Sequence, residues 1–285
     1  MSSMEVTGLR IYPVKSMRGI ELQRATLTAE GLLHDRRFMV VRTSGRFVTQ
    51  RDMARMSLIS VELENGGITL FMTGNGRVEV PFGEVDGRRF TTKVWNDTCE
   101  TVDQGEAVSR WLTNALESSE TLHLVTMAPG YTRPQGKADV LGAKTHTLFA
   151  DAAPFLVANE ASLQALNNEL LARGHDAVPM DRFRPNIVLR GLDAFEEHRA
   201  GGMTGGGIGI RFHHPCQRCI VTTIDQATAR KHPQKEPFFT LRDINPMPGG
   251  ERQPAFGQNA SLETGNGLTI TVGNTFEAGG NPPCN

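Results

Sequence analysis

Short apolar blocks divided by turn residues fill the first third of the chain. Residues 6–14, with Leu9, Ile11 and Val14 apolar and Pro13 as a stop, predict a first strand. Further strands are predicted at 22–27, 38–42, 47–50, 57–63, 68–72, 77–80 and 90–94, with turns at Gly31, Ser44-Gly45 and Gly66-Gly67. Blocks spaced by roughly 8–12 residues point to a barrel or sandwich rather than to alternating strand–helix–strand units. A helical period first appears over 105–116, where Ala107, Val108, Trp111, Leu112 and Ala115 share a face.

A strand at 122–125 leads into a polar loop over 129–144 that contains Gly and Pro and has few apolar anchors. The boundary between two halves is placed here, giving 1–125 and 126–285. Asn159-Glu160-Ala161-Ser162 has the character of a helix start, continued by Leu163, Leu166 and Leu170. Residues 182–189 predict a strand, 201–209 a mobile glycine-rich turn, and 208–212 a strand that delivers His213-His214-Pro215-Cys216-Gln217-Arg218-Cys219. The β-branched run 220–224 predicts a strand entering the core, and 268–272 one more before a loose Gly/Pro tail.

Composition supports this picture. Hydrophobic residues make up 39% and charged residues 21% of 285, which suits a packed globular chain. Thirty glycines and fifteen prolines against two Trp and two Tyr favour many turns and a β-rich α+β architecture. A net charge of −1 excludes coating of nucleic acid or an anionic membrane by bulk electrostatics, so any anion must be held by locally placed cations. The opening Met-Ser-Ser-Met-Glu-Val lacks a basic and apolar leader, and no later run reaches the ~18 apolar residues of a membrane span. The expectation is a cytoplasmic protein with no membrane partner.

Of four cysteines, Cys99 is isolated and Cys284 lies near the C-terminal tip, so thiol chemistry centres on Cys216 and Cys219. A structural zinc site would need two more ligands at finger spacing, which His213 and His214 do not offer. A redox pair would normally open a helix, and Ile220-Val221-Thr222 starts one poorly. Two buried structural cysteines remain an open reading. The second constellation is Asp181-Arg182-Phe183-Arg184-Pro185-Asn186, whose two arginines, two apart on a strand, would share a side. With Lys15, Arg36 and Arg218 they predict an anion pocket, because charge-assisted hydrogen bonds contribute roughly 1.5–3 kcal/mol each. The glycines of 201–207 lack the features of a phosphate loop, and Phe256-Gly257-Gln258-Asn259 carries amides that suit a heterocycle's edge or a turn.

The order Tyr12-Pro13-Val14-Lys15-Ser16, Asp35-Arg36, Arg184-Pro185-Asn186, Cys216-Gln217-Arg218-Cys219-x-x-Thr222-Thr223-x-Asp225 and Phe256-Gly257-Gln258-Asn259 resembles the MOSC-domain proteins. More narrowly it resembles those with an N-terminal β-barrel domain, such as the mitochondrial amidoxime-reducing component and the YcbX-type reductases. The resemblance implies an N-terminal β-barrel-like domain packed on a MOSC β-barrel, with a molybdenum cofactor (Mo-molybdopterin) held between them. It assigns Cys219 as the metal ligand, with Arg218 beside it favouring the thiolate, and Lys15, Ser16, Arg36, Arg184 and Asn186 as the grip on the pterin and its phosphate. A further matching stretch, residues 149–157, has Ala152 and Ala153 where relatives often carry hydroxyls, and 195–199 lacks the relatives' usual Trp.

The implied activity is reduction of small N-hydroxylated substrates, hydroxylamines and amidoximes, with oxygen leaving as water. Without the iron–sulfur domain or the membrane leader of some relatives, electrons would come from a separate ferredoxin- or flavoprotein-type donor. Asp151 and His214 are the acid–base candidates. Two other outcomes stay open: a cofactor carrier or sulfur-transfer module without turnover, and a MOSC fold with no cofactor.

Overall fold

The computed structural model describes residues 3–64, 66–83, 87–133, 141, 145–249 and 252–279. Much of the 129–144 loop read from the sequence therefore lies outside the described residues. The first half forms β1 (Ser3–Ile11), β2 (Ile20–Leu22), β3 (Arg24–Thr28), β4 (Gly31–Leu32), β5 (Met39–Arg42), β6 (Ser60–Glu64), β7 (Gly67–Met72), β8 (Gly76–Pro81), β9 (Arg89–Val94), β10 (Asp97–Asp103), α1 (Glu106–Ala115) and β11 (Leu122–Met127). The second forms β12 (Phe155–Asn159), α2 (Glu160–Ala172), β13 (Ile187–Arg190), β14 (Gly202–Gly205), β15 (Ile208–Gln217), α3 (Phe238–Ile244), β16 (Ala255–Thr264), β17 (Thr269–Thr271) and β18 (Thr275–Gly279).

The β-rich α+β expectation holds. Seven strands in the order β13-β12-β16-β15-β14-β18-β1 close into a barrel through the β1–β13 pairing, which leaves no free edge among them. Six of these strands come from the second half and β1 from the first, so a cut at 125/126 does not separate the sheets. Inward alternation along β1 runs Met4, Val6, then Leu9 and Ile11; a register shift between Val6 and Gly8 inserts the extra residue that keeps the apolar set facing in. These residues pack with Phe155, Val157, Ile187, Leu189, Ile210, Phe212 and Phe276 into one core. The first half packs the sheets β5-β11-β10-β9 and β6-β7-β8 around a second core, into which α1 buries Val108, Leu112 and Ala115.

Several local expectations are corrected. Residues 47–50 contribute one bridge, Val41 to Phe47, rather than a strand. The glycine-rich 201–209 segment is the β14–β15 hairpin: Gly205 faces Ile208, and the two-residue turn Gly206-Gly207 takes φ of +57° and +81°, the positive pair that matches strand twist. The supposed strand over 182–189 begins only at Ile187, because Met180–Arg182 form a 3-10 turn, Arg184 is left-handed at φ +56° and Pro185 follows. Residues 220–224 are likewise no core strand. Ile220–Thr223 form a 3-10 turn in which the Thr222 and Thr223 hydroxyls donate to the Cys219 and Ile220 carbonyls, leaving Ile220 36% exposed. The tail contains β18, whose Phe276 is buried.

Between the parallel strands β12 and β13, α2 makes the crossover. Its N-cap, Asn159, is fully buried: the side-chain oxygen accepts from Ala161 N–H at 3.3 Å while the amide donates to the carbonyls of Asp193 (2.8 Å) and Leu192 (3.3 Å). Buried Glu197 accepts from Ser162 Oγ at 2.8 Å at the same helix end, which pins the 195–199 turn there. Burial pushes the Glu197 carboxyl up. Asn159→Ala removes a cap and strands buried carbonyls, so it is expected to cost about 2 kcal/mol or more. The check is urea unfolding: a lowered midpoint at unchanged slope is expected, and an unchanged midpoint would contradict this account.

Candidate functional site

β1 runs out at Pro13, and the chain beyond it places Lys15 and Ser16 at the floor of a cleft of about 800 Å³. Residues from both halves line it. Arg36 and Arg51 join from the first; Asp151, Arg184, Asn186, Cys216, Arg218 and Cys219 come from the second. Nine of the residues singled out from the sequence, Lys15, Ser16, Arg36, Asp151, Arg184, Asn186, Cys216, Arg218 and Cys219, thus meet in one cavity, while Arg182 and His214 do not line it. Ser16, Arg36 and Arg184, together with Trp95 at the outer rim, have φ between +43° and +68°, a conformation that non-glycine residues keep only when their surroundings fix it.

Cations dominate the wall. Lys15 is 5% exposed; its Nζ donates to the Phe149 carbonyl at 2.8 Å and pairs with Asp151. Burial pulls the Lys15 ammonium down from its usual range, with Asp151 working against it. Arg36 pairs with Asp35 and donates from Nη2 to the Arg184 carbonyl at 3.2 Å. The guanidiniums of Arg36 and Arg184 lie 4.4 Å and 4.1 Å from the Tyr12 ring, whose π-system eases two like charges held close together. Arg184 also donates to the Met17 carbonyl at 2.7 Å. Burial lowers its pKa to about 10, so it remains a cation at neutral pH. Five basic side chains, counting Arg51 and Arg218, therefore face the carboxylates of Asp35 and Asp151. The excess positive charge calls for an anion.

Crowding by protein works against ionisation of Asp151, but the Lys15 ammonium, the Trp95 indole donating at 2.8 Å and Arg51 outweigh it. Its carboxyl lies well below the usual range and carries no proton near neutral pH. Asn186 lines the cleft, yet its amide is engaged with backbone, donating to Arg10 O at 3.2 Å and accepting from Leu156 N–H at 3.1 Å. Arg182 points elsewhere, to Asp225 at 2.7 Å, and does not share Arg184's side.

Each thiol has a guanidinium at 3.0 Å, but the pairing differs from that expected. Arg218 Nη1 reaches Cys216 Sγ, whereas Arg51 Nη2 reaches Cys219 Sγ. In extended chain, residues two apart share a face and neighbours do not, so Arg218 sides with Cys216. Sequence reasoning missed Arg51 altogether, since it sits in no motif and comes from the other half.

A wider outer cleft of about 1480 Å³ shares Arg51, Asp151, Cys216, Arg218 and Cys219 and adds Trp95, Asp97, Arg133, His214 and Met247. There Asn259 meets the His214 ring at 3.2 Å. Among the described residues no group of three or more His, Cys, Asp or Glu could hold a metal ion, and neither Cys216 nor Cys219 is in a disulfide. No helix among those residues is long and apolar enough to cross a membrane.

A closed barrel with a cationic, thiol-bearing cleft at its mouth defines a class. Residues 3–119 match the MOSC N-terminal beta barrel domain and 144–277 the MOSC domain, and the chain belongs to the MOSC-domain family. It is 34% identical to human mitochondrial amidoxime-reducing component 1 over 280 residues, covering 94% of this chain and 81% of the relative. For the mouse protein of the same name the identity is 32% over 281 residues, covering 94% and 80%. Bovine molybdenum cofactor sulfurase is 28% identical over 292 residues, which span 96% of this chain but 32% of that protein.

Proposed function

We propose that the cleft binds a molybdenum cofactor through Cys219 and that the protein reduces N-hydroxylated compounds, drawing electrons from a separate ferredoxin- or flavoprotein-type donor. The observation that carries the reading is the meeting of Cys219 with Lys15, Ser16, Arg36 and Arg184 in one cavity. The residues fit such a group: the cationic excess suits a pterin phosphate, and a soft thiolate suits molybdenum. Arg218 Nε is buried without a hydrogen-bond partner, a donor left for a ligand.

When bound, the cofactor would supply a two-electron metal centre able to take an oxygen atom from the substrate. The balance is amidoxime plus two electrons and two protons giving amidine plus water. Lys15, Arg36 and Arg184 hold and orient the anionic end, while Cys219 anchors the metal. Asp151 can accept a proton but has none to give near neutral pH, so its part is to fix Lys15 and Trp95. His214 lines the outer cleft beside Cys216 and Arg218.

The test is elemental analysis and benzamidoxime turnover with a chemical reductant, using protein from a cofactor-competent host. One molybdenum per chain with steady turnover is expected. Bound molybdenum without turnover, released to an apo-enzyme, would favour the carrier or sulfur-transfer reading. Absence of molybdenum would overturn both.

A further inference from the structure

Arg51 reaches Cys219 from across the cleft, and the contacts behind it form a continuous chain. Its guanidinium lies 4.7 Å from the Trp95 ring, a stacking that holds a planar cation in one orientation. Trp95 stands where β9 turns into β10, at φ +57°, a conformation so bulky a residue keeps only under constraint. Two contacts supply that constraint: Phe47 meets the ring edge-on at 5.3 Å, and Asp151 accepts the indole N–H at 2.8 Å. Asp151 is in turn paired with Lys15. The chain thus runs from the ammonium at the cleft floor through Asp151, Trp95 and Arg51 to the Cys219 sulfur. Arg218 does not duplicate it, being committed to Cys216 Sγ at 3.0 Å and the Phe183 carbonyl at 2.8 Å.

An N–H from a cation draws electron density from a thiolate sulfur. A metal bound to that sulfur then has a weaker donor, its lower oxidation state gains, and its reduction potential rises. We propose that Arg51, clamped by Trp95, is a positioning residue that holds the Cys219 sulfur and sets the potential of the metal bound there; this rests on reading the cleft as a molybdenum-cofactor site.

The test compares the midpoint potential of the metal, by spectroscopically monitored redox titration of holoprotein, among the wild type, Arg51→Gln, Arg51→Lys, Trp95→Leu and a control, Arg46→Gln. Arg46 is exposed and touches Asp52 at 3.9 Å, so its variant should match the wild type. Arg51→Gln is expected to move the midpoint to more negative values and to lower kcat with KM for benzamidoxime little changed. Arg51→Lys should recover part of the shift, and Trp95→Leu should fall between because it leaves the cation but frees it. Should Arg51→Gln fail to retain metal, Trp95→Leu decides. Wild-type potentials in the Arg51→Gln and Trp95→Leu proteins at full molybdenum content would overturn the inference. A wild type that binds molybdenum but does not reduce benzamidoxime would sink the reductase reading alone, since the potentials still decide this one. Wild type without molybdenum overturns both.

Discussion

Cys219→Ser is expected to leave a folded protein that has lost the optical signature of the proposed sulfur-bound metal and at least about 100-fold of the proposed reductase activity, more than the 10–100-fold typical of losing a group behind a ligand. Cys216→Ser should fall well short of that. The two thiols are three residues apart and each has a cation at 3.0 Å, so that contact alone does not tell them apart. Their surroundings differ: Cys216 is served by a residue of its own strand region, Cys219 by one from the opposite half. Metal content, visible spectrum and turnover of both variants make the check, and equal loss in both would point instead to a paired role for the thiols.

The second large effect belongs to Arg184. Arg184→Ala deletes a half-buried cation that also holds the Met17 carbonyl. If it donates one charge-assisted bond to the cofactor, worth roughly 1.5–3 kcal/mol, retention should weaken by about 10–100-fold. Molybdenum content after dialysis against cofactor-free buffer measures this. Arg182→Ala is the comparison, because Arg182 is spent on Asp225 outside the cleft. Retention unchanged by Arg184→Ala would remove it from the grip.

Much of this site was legible in the chain because its residues sit in short motifs at strand ends, where side chains project past the sheet. The strand that delivers Cys216 and Cys219, the period of α1 and the start of α2 at Asn159 were legible for a similar reason, as local patterns read locally. What escaped was long-range. Arg51 lies in an undistinguished segment, and nothing near it names Cys219. The partner of Arg218 depended on backbone parity, visible only once the segment was known to be extended. The 220–224 run has strand composition, but the Thr222 and Thr223 hydroxyls bond back to the chain and tighten it into a turn. β10 escaped because its apolar signal reduces to Cys99 and Val102 amid polar residues, of which Thr101 and Asp103 are nonetheless buried.

The pairing of β1 with both β13 and β18 bears on the order in which the molecule assembles. The sheets of residues 39–127 can complete themselves from neighbours, whereas the barrel must wait for partners more than 170 residues downstream of Ser3–Ile11. Such distant closure is slow, because loop entropy is lost before the contacts that offset it are made. Lys15 and Cys219 are brought together by the strands of that barrel, so the receptacle is expected to mature late, after the polypeptide is complete to at least Gly279.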